Sequence, residues 1–147
     1  MFQKLRAGAI AGLAGGVVFG MMMAMMGMLT VIAGMVGSSS PMVGFAVHLA
    51  MSAMIGAGFG ITLSSFASST AASIGAGAAY GMVWWVIGPL TMMPLMMGMG
   101  LGTQWSVSAA TAALPSLMGH AIYGMITGFV FHRLTASRGT RRVPRTA

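Results

Sequence analysis

The fold follows from one stretch of sequence, GAIAGLAGGVVFGMMMAMMGMLTVIAGMVG, which covers residues 8–37. This stretch has no charged side chain and exceeds the roughly 20 apolar residues that cross a bilayer. The same character continues along the chain, because no Asp or Glu occurs anywhere and no Lys or Arg lies between Arg6 and Arg133. A soluble protein could not expose such a segment without aggregating. The sequence therefore predicts an integral membrane protein, with the lipid bilayer as its first partner.

Three breaks divide the apolar region into four predicted spans. The breaks are GSSSP at 37–41, SSFASSTAAS at 64–73 and GLGTQWSVSAATAALP at 100–115. The predicted spans cover residues 8–36, 41–63, 73–99 and 115–134. Residues 1–134 are thus expected to form a single domain, an all-α membrane protein with a four-transmembrane-helix bundle, followed by a basic tail at 135–147.

The basic residues predict the orientation. All seven Lys and Arg lie at the two ends of the chain, and such residues flank membrane spans on the cytoplasmic side. An even number of spans then places both termini in the cytoplasm, and we expect a bacterial inner membrane. The net charge of +7 is explained by this flanking role, so no nucleic acid is expected as a partner.

Small residues recur at every fourth position of each predicted helix. Because positions four apart share one helix face, each helix presents a smooth stripe that lets another backbone approach closely. The predicted helix-packing glycines are Gly8, Gly12, Gly16, Gly20, Gly44, Gly56, Gly60, Gly77, Gly81, Gly124 and Gly128.

The stripes also match between the two halves of the chain, about 8–63 and 73–134. His48-x3-Ser52-x3-Gly56-x2-Phe59 aligns with His120-x3-Gly124-x3-Gly128-x2-Phe131, and Phe19-Gly20-Met21 aligns with Tyr80-Gly81-Met82. The pattern predicts two tandem helical hairpins. Since each hairpin has two spans, a pseudo-twofold axis along the membrane normal would relate them.

His48 and His120 are the leading candidate site residues. Ionisable groups inside a span are costly and usually functional, facing the bundle interior. Each histidine lies on the small-residue stripe of its helix, so the repeat would place the pair at one depth. Three alternatives stay open: packing through hydrogen bonds, binding of a haem, pigment or metal, and handling of protons or substrate.

Methionine is unusually frequent, with 19 in the chain. Thioethers select soft ions, copper(I) above all, but methionine is also a flexible packing residue. A copper site would draw on the predicted metal residues His48, Met51, Met118, His120, Met22 and Met26.

The third helix is the irregular one. Pro89 and Pro94 remove backbone hydrogen bonds and should kink or break its outer half, either as a gate or as a packing kink. Trp84 and Trp85 fall near mid-membrane, where their indole N–H groups need partners, and this suggests a contact between helices or subunits.

The segment from Tyr80 to Pro94, Y-G-x-x-W-W-x-x-G-P-L-x-x-M-P, resembles a segment of uncharacterised small bacterial four-helix integral membrane proteins. The resemblance implies the fold and no activity.

An enzyme is not expected, because no carboxylate, cysteine or nucleotide-binding loop is present. We expect instead a non-catalytic membrane subunit that packs through its glycine faces into a homo-oligomer or with other membrane subunits, with a ligand at His48 and His120 as an option. The alternatives are a protein that binds copper(I), haem or a pigment, and a small transporter or channel.

Overall fold

The computed structural model describes residues 1–139, with side chains up to residue 136. This part of the chain is helical, without strands, and four of its helices are long and apolar enough to cross a membrane. The four spans are Phe2–Met25, Pro41–Thr62, Thr70–Met96 and Leu114–Ala136. The chain is therefore a membrane protein of four apolar helices. From residue 140 onward, the predicted basic tail lies outside the described residues.

The first span differs from the prediction of one helix over 8–36. Helix α1 covers Phe2–Met25, so it begins earlier and ends earlier than expected. Gly27 has a φ of +69°, a left-handed conformation that ends helices and favours glycine. After this turn, the short helix α2 (Leu29–Gly34) folds back so that the Leu29 carbonyl meets Gly44.

The second and third long helices begin where their sequences allow it. Helix α3 covers Pro41–Thr62, with Pro41 in its first turn, where a missing N–H costs nothing. Helix α4 covers Thr70–Ile87, and the Ser69 side chain accepts a hydrogen bond from the Ala72 N–H at 3.1 Å. This is a standard N-terminal cap.

Beyond α4, the chain passes through a π-helical turn at Gly88–Met92 and the short helix α5 (Met93–Met96). The Met93 N–H donates to the Gly88 carbonyl, five residues back. Pro89 explains this turn, because it has no N–H to give to the carbonyl four residues before it. The short helix α6 (Val107–Ala112) then leads into the last long helix, α7 (Leu114–Gly139).

The long helices pack in the order α3, α1, α7, α4. Helix α1 packs along both α3 and α7, and α7 packs along α4, while α3 and α4 make few direct backbone contacts. We call the half of the bundle that holds residue 1 and the α3–α4 loop the terminal half, and the opposite half the distal half. The gap between α3 and α4 is the side on which the candidate site lies.

Glycines set the close contacts within both helix pairs, α1 with α3 and α4 with α7. Gly8 and Gly12 of α1 lie against the α3 backbone at Ser52 and Gly56, and Gly77 of α4 lies against the Gly124 carbonyl of α7. A Cβ at any of these glycines would collide with the facing backbone. The other predicted packing glycines, Gly16, Gly20, Gly44, Gly60, Gly81 and Gly128, likewise face residues of other helices of this chain.

Aromatic rings fill the core of the terminal half. Phe59 and Phe131 are fully buried, with their ring centroids 5.5 Å apart, and Tyr80 stacks edge-on against Phe59 at 5.5 Å. Lys4, at the same end, donates from Nζ to the Ser64 hydroxyl at 2.9 Å. Large apolar side chains cover much of the outer surface, as expected for helices that face lipid.

Candidate functional site

A cavity of about 340 Å³ occupies the distal half of the bundle, beside the gap between α3 and α4. All of the long helices contribute to its wall, and α2 and the end of α6 reach its rim. Its lining residues are Phe19, Met22, Met23, Met26, Met28, Ile32, Met35, His48, Met51, Ser52, Ile55, Trp84, Gly88, Pro89, Met92, Met93, Ala112, Ala113, Pro115, Ser116, His120 and Tyr123. The wall is therefore apolar, with a few polar groups.

Two tyrosine hydroxyls connect α3 to α7 and α4. The Tyr123 hydroxyl donates to the Ser52 carbonyl at 2.8 Å, and the Tyr80 hydroxyl donates to the Ile55 carbonyl at 2.9 Å. Both bonds end on α3, the first from α7 and the second from α4. They fix α3 relative to helices that it otherwise touches little.

His48 lies on the α1 side of the cavity and is only 8% exposed. Its Nε2 lies 2.9 Å from the Gly16 carbonyl and 3.5 Å from the Ser52 hydroxyl. Because a carbonyl oxygen can only accept, Nε2 carries the proton. In the neutral ring, the other nitrogen, Nδ1, is then an acceptor.

His120 lies on the α4 side and has the opposite arrangement. Its Nδ1 lies 2.8 Å from the Ser116 carbonyl, so Nδ1 carries the proton and Nε2 is the acceptor. Gly88 lies beside this nitrogen and leaves space next to it. Even a Cβ added at Gly88 would lie 3.9 Å from Nε2.

The structure thus brings both predicted histidines to one cavity. The Phe19 ring contacts both of them, with centroid distances of 5.4 Å to His48 and 4.8 Å to His120. A metal or haem iron would be ligated through His48 Nδ1 and His120 Nε2, because the other nitrogen of each ring is bonded to a backbone carbonyl.

Three of the four predicted methionine ligands lie at the cavity, and the fourth does not. Met22, Met26 and Met51 line the cavity, together with five further methionines. Met118 does not line it and is 61% exposed. Within residues 1–139, no three His, Cys, Asp or Glu side chains come together as a metal-binding group. A metal ion in this cavity would therefore need thioether ligands.

The structure also places the tryptophan, the prolines and the third histidine that the sequence analysis considered. The Trp85 indole N–H donates to the Ala113 carbonyl at 3.2 Å, which joins α4 to the start of α7. Pro89 lines the cavity, and Pro94 is buried. His132 lies in the terminal half, where its Nδ1 donates to the Ala67 carbonyl at 3.1 Å.

Sequence reasoning missed Phe19, Tyr123 and Ser116 as site residues. Tyr123 and Ser116 lie three and four positions from His120, so helical spacing alone places them on its face. Phe19 precedes Gly20 in the first stripe, but a lone aromatic residue in an apolar helix carries no further signal. Its contact with both histidines depends on the packing of α1 against α7.

No family model, curated protein or solved structure matches this chain. The fold and the cavity define its class on their own. It is a small membrane protein of four apolar helices, with an apolar cavity that brings two histidines together.

Proposed function

We propose that this protein is a non-catalytic membrane subunit that binds a small apolar ligand in the distal cavity. The observation that carries the proposal is the cavity itself, which is large enough for an organic molecule and holds two histidines with acceptor nitrogens in an apolar wall. Binding pockets for small molecules are mostly apolar, with a few polar groups that fix orientation.

The ligand would come from the bilayer. The cavity lies beside α3 and α4, which make few contacts with each other, and the helices around it are of membrane-spanning length. A lipid-soluble molecule in the hydrocarbon region would therefore reach it without crossing water. In the same proposal, the membrane is a bacterial inner membrane, with both termini in the cytoplasm.

The contacts between helices support the proposed repeat. Gly16 packs against Ser52 and Gly20 against His48, as Gly77 packs against Gly124 and Gly81 against the His120 carbonyl. These are equivalent positions of the aligned halves. The pseudo-twofold relation would fail for one pair of equivalent contacts, because α1 packs on α7 whereas α4 and α3 stay apart. The cavity lies at the gap between α3 and α4.

Two matched methionine variants test the proposal. Met51→Trp places a large ring in the cavity, whereas Met118→Trp places it on the exposed surface. After purification in native-membrane nanodiscs, mass spectrometry should find a small molecule that co-purifies with the wild-type protein and with Met118→Trp but not with Met51→Trp. Equal recovery from all three, or none from the wild type, would contradict the proposal.

Copper(I) is the second candidate, and the methionine content of the wall favours it. Eight methionines line the cavity, and thioether sulfur with imidazole nitrogen suits a soft ion. Competition with a chromophoric copper(I) chelator should show one tightly bound ion, lost on His120→Ala and retained in Met118→Leu. If the protein binds no copper(I) when protein and ion are equimolar, this candidate is excluded.

Assembly into a homo-oligomer or with other membrane subunits stays a prediction. The glycine faces that suggested it contact helices of this same chain, so an assembly would have to use another surface. Among the described residues, we find no feature that favours the transporter or channel alternative.

A further inference from the structure

The histidines indicate which class of ligand the cavity accepts. We propose that the ligand donates a hydrogen bond to His48 Nδ1 or His120 Nε2, and that it belongs to the neutral lipid-soluble alcohols and phenols. This inference rests on the proposed function and specifies it further.

The first step is the protonation state of the two rings. Each has one nitrogen bonded to a backbone carbonyl, Gly16 for His48 and Ser116 for His120, so that nitrogen keeps its proton. A second proton would charge the ring inside an apolar bundle, where a charge is costly. The chain has no Asp or Glu to compensate it. Each ring is therefore neutral and has one lone pair to offer.

The second step is that these lone pairs have no partner in the described part of the chain. No hydrogen bond reaches His48 Nδ1 or His120 Nε2 there. No buried side-chain nitrogen or oxygen without a partner occurs among those residues either, so neither nitrogen is sealed inside the protein. Both remain accessible to a molecule in the cavity.

The third step concerns the imidazole lone pairs rather than the donors of the wall. The Tyr123 hydroxyl already donates to the Ser52 carbonyl, but the Trp84 indole and the Ser52 and Ser116 hydroxyls also line the cavity. A ligand with only acceptors, such as an ether, ketone or ester, could meet those donors but would leave both imidazole lone pairs unpaired. Leaving buried polar groups unpaired in this way is unfavourable, whereas a hydroxyl satisfies the ring nitrogen.

Phe19 adds a preference for a ring. Its side chain contacts both histidines, with centroid distances of 5.4 and 4.8 Å, and aromatic rings pack well edge-on or offset at such distances. The methionine side chains around it adapt to different shapes. A phenol with an alkyl chain matches both features, because its ring can meet Phe19 and its chain can lie among the thioethers.

The test uses two probes, 4-octylphenol and its methyl ether 4-octylanisole, in which a methyl group replaces the donor proton. Binding to the delipidated protein in phosphatidylcholine nanodiscs is measured by equilibrium dialysis against empty nanodiscs. We expect the phenol to bind at least about tenfold more tightly than the methyl ether. The double variant His48→Phe/His120→Phe should remove this difference, and His132→Phe, which changes a histidine of the terminal half, should keep it.

Nitrogen-15 NMR of the histidine side chains supplies a measurement that needs no variant. In the wild-type protein, the single hydroxyl of the phenol should shift the resonance of the nitrogen that accepts it, His48 Nδ1 or His120 Nε2, and the anisole should shift neither. Equal affinity for the two probes would overturn the donor inference while leaving the ligand-binding function standing. If neither probe binds and no small molecule co-purifies, the proposed function itself fails.

Discussion

Single glycines determine how closely the helices of this protein approach one another. Gly77 of α4 lies against the Gly124 carbonyl of α7, and the reverse is also true, so neither position has room for a Cβ. Gly75, two residues earlier on the same helix, has no atom within 4 Å of the position that a Cβ would take. Two glycines of one helix thus have opposite roles, which composition alone cannot distinguish.

We expect Gly77→Ala to lower the free energy of unfolding by about 1–3 kcal/mol, because the added carbon forces α4 away from α7. Gly75→Ala should instead raise it by about 0.5–1 kcal/mol, since alanine loses less backbone entropy in a helix. Circular dichroism during titration with sodium dodecyl sulfate compares the two. The same sign for both variants would contradict the close approach at Gly77.

Tyr123 is the second residue whose contribution to the free energy of unfolding can be measured. Its hydroxyl is the buried donor to the Ser52 carbonyl, and Tyr123→Phe removes that bond while keeping the ring. We expect a loss of about 0.5–1.5 kcal/mol in the same titration. Tyr80→Phe, which removes a partly buried bond to Ile55, should cost less. No loss in either variant would show that α3 is held by packing alone.

The irregular segment after α4 is the element that shapes the cavity. In the π-helical turn, Gly88–Met92, the Met93 N–H bonds to the Gly88 carbonyl, and both Met92 and Met93 line the cavity. The extra residue in this turn rotates everything after it relative to α4. The side chains that reach the cavity from α5 therefore depend on Pro89.

Pro89→Ala should allow a regular α-helix through this segment, because alanine supplies the missing N–H. The following residues would then rotate by about 100°, which moves Met93 away from the cavity. We expect slower hydrogen–deuterium exchange at 89–93 and several-fold weaker binding of 4-octylphenol. Pro94→Ala, at the start of α5, is the control and should leave both unchanged. Unaltered exchange in Pro89→Ala would mean that packing, not proline, maintains the turn.

At the scale of the whole molecule, the helix order places residue 1, the end of α7 and the α3–α4 loop together, away from the cavity. The chain contains no cysteine, so single cysteines can be introduced without background. Gln3 and Ser68 lie in the terminal half, whereas Ser39 and Thr103 lie in the loops of the distal half.

With a membrane-impermeant maleimide, we expect Gln3→Cys and Ser68→Cys to react only in inside-out vesicles. Ser39→Cys and Thr103→Cys should react only in right-side-out cells. The reverse pattern would keep the fold and overturn the proposed cytoplasmic termini. Labelling of Gln3→Cys and Ser68→Cys from different sides would contradict the bundle itself.

The sequence by itself determined the membrane character and the presence of four long apolar helices. These follow from local properties, namely the absence of charge and the length of the apolar runs. The end of α1 at Gly27 was not predicted. A left-handed glycine turn inside an apolar run leaves the hydropathy unchanged, so the sequence favoured one longer helix.

The tertiary structure alone decided that α1 packs on α7 while α3 and α4 stay apart. Each pair of helices offers similar small-residue faces, so the sequence does not specify which pair separates. That choice creates the cavity, places Phe19 against both histidines and assigns one proton position to each ring through the Gly16 and Ser116 carbonyls. The character of the site therefore depends on long-range packing, which local spacing does not encode.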